Sequence, residues 1–227
     1  MLVAAAVVPT PPLLVPEVAA GSASREGELR AAALAAVERV LAAQPDRVVV
    51  VGEAPTVGPL QGEPDWHPYG VSLPRPRPVM RLPLAHGIGA WLLQQVGCGV
   101  PVEHLGVTAD ATAETCAQLG RELAQDSRRT ALLACGDGTA RRDEKAPGHF
   151  SPAAADFDER VDAAVRAGDP AALLALDVDL ARELWVAGRP TWQVLAGAAE
   201  GRRWSAEVGY AAQPYGVHYI VGIWLPV

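Results

Sequence analysis

The chain has 227 residues, half of them hydrophobic and a fifth charged, with a formal net charge of −7. That is enough apolar chain to fill one α/β core, and the composition is globular rather than disordered. The acidic balance, with no run of basic residues, argues against nucleic acid, because no cationic stripe would face a phosphate backbone.

The chain opens MLVAAAVVPTPPLLVPE. Its apolar run, Leu2 to Val8, has no Lys or Arg ahead of it and is followed by Pro9, Pro11, Pro12 and Pro16, so it reads as a buried strand rather than an export signal. A helix capped by Ser22 or Ser24 is expected to run to about Ala43, with Leu29, Ala33, Val37, Val40 and Leu41 on its buried face. Arg47 to Val51 reads as a second buried strand.

From Gly52 to Arg81, Pro and Gly crowd the sequence around Trp66, His67, Tyr69 and the PRPRP segment, which predicts a long irregular loop packed over one edge. The Trp66 to Tyr69 stretch is the candidate for an exposed apolar patch. Val79 to Leu84 is read as a short strand, His86 to Val96 as a helix and Val102 to Val107 as a strand. Asp110 is the expected N-cap of a helix to about Gln125, followed by a buried strand, Thr130 to Cys135.

Two later helices are expected after Ser151-Pro152 and Asp169-Pro170, where a capping residue precedes proline at the first helical position. Helices over Leu180 to Val186 and Pro190 to Ala199 come next. Strands near Trp204 to Tyr210 and Val217 to Leu225 close the chain, with Tyr215-Gly216 in the turn between them. The alternation implies an α/β fold with a central, mostly parallel sheet and helices on both faces, a single domain over 1–227.

Standard catalytic signatures are missing. There is no G-x-S-x-G elbow, no G-x-x-x-x-G-K-[ST] loop and no H-E-x-x-H helix, and Gly136-Asp137-Gly138 lacks the third glycine of a dinucleotide turn. His67, His86, His104, His149 and His218 are never three or four apart, so no helix presents two of them to a metal. His86 reads as a helix opener, His104 as exposed before a strand, the other three as turn residues, and Trp185 and Trp192 as core. Cys98, Cys116 and Cys135 are odd in number and lack a C-x-x-C spacing, which fits a reduced, cytoplasmic protein. No stretch approaches the about 18 apolar residues of a membrane span.

The most informative segment follows the strand ending at Cys135. A strand end running into Gly136-Asp137-Gly138 can expose consecutive N–H groups to an anion, and Arg141, Arg142 and Lys145 follow closely. The candidate ligand-binding residues here are therefore Asp137, Gly138, Thr139, Arg141, Arg142 and Lys145, with Asp137 also the candidate base. The alternative is a structural knot in which Asp137, Arg141, Arg142, Asp143 and Glu144 pair and fasten the loop to the late helices. Glu17 and Glu144 are further titratable groups near the expected pocket.

Taken together, VVPTPPLLVPE, RVVVVGEAP, ACGDGTARRDEKAPGHFSPAAADFDERV and AAQPYGVHYIVGIW resemble the class III extradiol ring-cleavage dioxygenase family, and more distantly Memo-like proteins. The GDGTARRDEKAPG block carries most of the likeness, which points to an actinobacterial-type branch of the family. The resemblance implies Fe(II) held by two histidines and a carboxylate, with another histidine as base. In this chain Thr10 stands where the first histidine is expected, which makes it a further candidate ligand-binding residue, Glu53 to Pro55 hold none, and Thr139-Ala140-Arg141 replace the base, leaving Glu207 as the candidate carboxylate.

The resemblance thus implies a degenerate, metal-free member that binds a small anionic molecule, with no cofactor. Two alternatives stay open: an active Fe(II) extradiol dioxygenase, and a non-catalytic protein that serves a partner or forms a homo-oligomer.

Overall fold

A computed structural model describes residues 1–19, 26–71 and 77–227. It is an α/β structure built on one seven-stranded mixed sheet of order β3-β4-β2-β5-β1-β7-β6. The strands are β1 (Leu2–Val8), β2 (Arg47–Glu53), β3 (Gly58–Leu60), β4 (Val102–Val107), β5 (Thr130–Cys135), β6 (Trp204–Ala212) and β7 (Tyr219–Pro226). The helices are α1 (Pro16–Ala19), α2 (Glu26–Ala42), α3 (Leu84–Gln95), α4 (Ala113–Gln125), α5 (Ala153–Ala167), α6 (Pro170–Leu174), α7 (Val178–Glu183) and α8 (Arg189–Ala199).

The continuous apolar runs become the middle of the sheet. β4, β2, β5 and β1 lie side by side and parallel. β2, β5 and β1 can be apolar on both faces because helices cover both, whereas β4 carries Glu103 and His104 and is only partly buried. Alternate side chains divide between two cores: Ala6, Val8, Val50 and Leu133 meet α2 and α3 on one face, while Ala5, Val7, Val51 and Leu132 meet α5 and α8 on the other. The sheet is mixed rather than mostly parallel, since β3, β7 and β6 join antiparallel at the two sides. A hairpin such as β6–β7 needs only a short turn, which Gly216 makes at φ +70°.

Several local expectations need correction. Val79 to Leu84 is not a strand: Arg81 forms a lone bridge with Glu63, Val79 is fully exposed, and Leu84 already begins α3. Pro78 and Pro83 bracket the stretch and remove two ladder donors, leaving too little chain to pair. The segment from Gly52 is not wholly irregular either, because β2 runs on to Glu53 and β3 pairs with the β4 edge.

Thr112, not Asp110, caps α4, accepting from the Thr115 N–H at 3.1 Å. Ser151 makes no side-chain cap on α5, whereas the Asp169 carboxylate does cap α6. Asp177 caps α7, which therefore starts and ends earlier than expected. Trp192 is core, but Trp185 is 57% exposed. Trp66 is buried rather than part of an exposed patch. His86 lies fully buried within α3, and His104 sits within β4, edge-on to it at 5.5 Å between ring centroids. Ser22, Ser24 and most of the PRPRP segment lie outside the described residues.

Candidate functional site

Strand register decides where the loops gather. Val8 and Gly52 both pair with Cys135, and Glu53 pairs with Val107, so all four parallel strands end level with one another. The chain leaves β2 toward the face of α3 and leaves β4 and β5 toward the opposite face. A crevice opens where neighbouring connections part in this way. It is a cleft of about 710 Å³, lined by Thr10, Glu53, Pro55, Leu84, Asp110 and Asp137 among others.

Asp137 is fixed by the turn after β1: its Oδ1 accepts from the Thr10 N–H at 2.6 Å and lies 3.4 Å from Thr10 Oγ1. Its own carbonyl accepts from the Gly188 N–H at 2.8 Å, tying the β5 loop to the start of α8. Gly136 allows that approach, since a Cβ there would stand 2.5 Å from the Gly188 Cα. Burial raises the Asp137 carboxyl to about 6, against the opposing pull of the Thr10 bonds and His218. Burial also raises Glu53 at the end of β2, with the nearby Arg189 charge opposing. A hydrogen bond from Thr108 instead holds the exposed Asp110 carboxyl below its usual range.

Arg189 positions the β4 loop from beneath. Its buried guanidinium donates to the carbonyls of Ala109 and Ala111 and to Gln193 Oε1. Among the described residues lining the cleft, the ionisable side chains are all carboxylates.

The expected residues divide sharply. Thr10 and Asp137 meet in the cleft; Gly138, Thr139, Arg141, Arg142 and Lys145 do not line it. The amides meant to cradle an anion are already spent. Gly136 donates to Val8, Gly138 to His218, Ala140 to Leu184 and Arg142 to Gly216, while Thr139 donates to the Asp158 carboxylate. Arg141 reaches the carbonyls of His149 and Glu183, and Arg142 lies 3.5 Å from Asp158.

Loop and late helices are thus fastened together, though not through the partners expected. Asp137 holds Thr10 rather than an arginine, and Asp158 of α5 is the centre, 3.7 Å from His218 Nδ1. Glu17, Glu144 and Lys145 are exposed.

The residues do not fit the Fe(II) that the resemblance implies. The cleft offers carboxylates and a hydroxyl but no imidazole, and among the described residues no group of three or more His, Cys, Asp or Glu is placed to hold a metal ion. Oxygen-only donors suit hard cations, not the histidine-rich set of a non-haem iron oxygenase. Glu207 is remote from the cleft in its contacts: it lies on β6, largely exposed, 3.2 Å from Arg39.

Sequence reasoning passed over Glu53, Asp110 and Arg189. The signal for Glu53 was its place at a buried strand's end, and for Asp110 the Val-Thr-Ala-Asp exit from β4; Arg189 gave no signal, because its role depends on a carbonyl pair 78 and 80 residues away.

No family model matches the chain, and no curated protein matches it. Among solved structures, the crystal structure of the uncharacterized protein JW3007 from Escherichia coli K12 is similar, with a TM-score of 0.50 and 16% identity over 98% of this chain and 99% of that one. What that likeness shows is a shared α/β fold along the length of both chains.

Proposed function

We propose that this chain is a degenerate, class III extradiol dioxygenase-like protein that binds a small molecule without metal in the cleft at the strand ends. The observation that carries it is the lining: Thr10 and Glu53, where the resemblance would require imidazoles, share the cleft with Asp110 and Asp137. A carboxylate lining disfavours an anionic ligand by like-charge repulsion, so the anion expected from the glycine loop gives way to a ligand rich in hydroxyl or amino donors. Asp137, with a carboxyl near 6, is poised to accept a proton from such a ligand around neutral pH.

Elemental analysis of the purified protein combined with calorimetric titration tests this reading. We expect no stoichiometric transition metal, no oxygen uptake with a catechol and added Fe(II), and tighter binding of amino alcohols than of hydroxy acids. About one iron per chain with catechol-dependent oxygen uptake would replace this reading with an extradiol dioxygenase. Binding of neither ligand class would leave the protein as a partner or oligomer surface.

A further inference from the structure

A second cavity adjoins the first. It is a slot of about 330 Å³ that shares Pro55, Pro83 and Leu84 with the cleft and runs between the N-terminal turn of α3 and the Trp66–Tyr69 turn. Trp66, Tyr69, Leu82 and the prolines give it apolar walls, with Gly87 of α3 beneath, and Asp65 and Arg81 add a charged pair. Its aromatic rings set it apart from the cleft, whose described lining has none.

The slot is preformed. Glu63 receives the Leu82 N–H and donates to Met80, so the two arms of the loop are clasped, and Tyr69 and Gly70 close the turn onto Trp66 and His67. Asp65, only 3% exposed, bonds His67 Nδ1 at 2.6 Å and holds the turn's shape. Its second oxygen, Oδ2, is buried without a hydrogen-bond partner and lies 3.6 Å from Arg81, which balances its charge. Gly87 keeps the slot open: a Cβ there would meet Trp66 only at 3.6 Å, in ordinary contact, and any longer side chain would occupy the slot itself.

We propose that the slot is a specificity subsite of the same binding site, taking the apolar tail of an elongated ligand whose donor-bearing head lies among Glu53, Asp110 and Asp137. This inference rests on the donor-ligand reading above. The Trp and Tyr rings and the prolines suit a flat group, and burying one there removes apolar surface from water.

Three probes separate the two ideas: ethanolamine (head only), phenylethanolamine (the same head with a ring) and mandelate (the ring with an anionic head). In calorimetric titrations of the full chain, phenylethanolamine is expected to bind at least about tenfold tighter than ethanolamine. Gly87→Leu is expected to erase that advantage while leaving ethanolamine binding unchanged, and Tyr69→Ala, at a half-exposed wall position, to reduce it severalfold should Gly87→Leu prove unfolded by circular dichroism. Equal binding of the two amines, or a ring advantage retained in the folded variants, would overturn the subsite. Tighter binding of mandelate than of phenylethanolamine would overturn the donor-ligand reading instead, and failure of all three probes to bind would overturn both.

Discussion

Asp137 combines two demands that pull against each other. Thr10 needs its carboxylate as an acceptor, while burial penalises its charge and lifts the carboxyl from 3.8 to about 6. The folded chain therefore holds this proton more tightly than the unfolded chain. The resulting stability is present in full below pH about 4 and is lost as pH rises through about 6. Asparagine keeps an acceptor for Thr10 and carries no charge, so Asp137→Asn is expected to be more stable than the parent by about 2–3 kcal/mol near neutrality and equal to it near pH 4. Urea denaturation at the two pH values measures the difference.

His86 has the opposite sign. Its Nε2 donates to the Gly52 carbonyl at 3.2 Å, and its Nδ1 is buried without a hydrogen-bond partner. Burial, aided by neighbouring His104, lowers it from 6.5 to about 4. The unfolded chain then takes the proton first, and stability falls as pH drops from about 6.5 toward 4, by about 2–3 kcal/mol. In His86→Leu that acid-side loss is expected to flatten in the same denaturation series; a parent-like slope would show that the loss arises elsewhere.

At the scale of elements, α4 and α8 approach so closely that neither can carry a side chain at the crossing. A Cβ at Gly120 would stand 2.1 Å from the Val194 carbonyl oxygen, and one at Gly197 2.2 Å from that of Ala117. The obstacles are backbone, which cannot swing away. Alanine at either position is therefore expected to lower stability by about 2–3 kcal/mol, overriding its better helix propensity, and thermal unfolding measures this. The loop after β5 makes a similar test of role. Arg141 bonds two carbonyls on separate elements and lines no part of the cleft. Arg141→Ala is expected to lose about 1 kcal/mol of stability and none of its ligand affinity.

At the scale of the molecule, both cores lean on the same three parallel strands, β2, β5 and β1, so neither layer of helices can part from the sheet without exposing it. Amide hydrogen exchange is accordingly expected to be slowest in β2, β5 and β1, which have neighbours on both sides, and faster in β3 and β6 at the two edges. Slowest exchange in the β6–β7 hairpin would contradict that arrangement.

The sequence by itself determined the elements whose cause is local. Leu2–Val8 and Thr130–Cys135 were legible to the residue because apolar runs end at Pro, Gly or polar residues, and Asp169-Pro170 announced α6 because capping acts within one turn. Of the candidate site, Thr10 and Asp137 were legible as residues just past buried strands. What only the tertiary structure decided was long-range. Register made four strand ends level and brought Glu53 and Asp110 beside Asp137, while pairing across the chain consumed the glycine-loop amides and turned Arg141 and Arg142 into fasteners. A sequence shows which groups could donate or accept; which partners they find depends on folded neighbours far along the chain, and those same partners decide which groups are left facing a ligand.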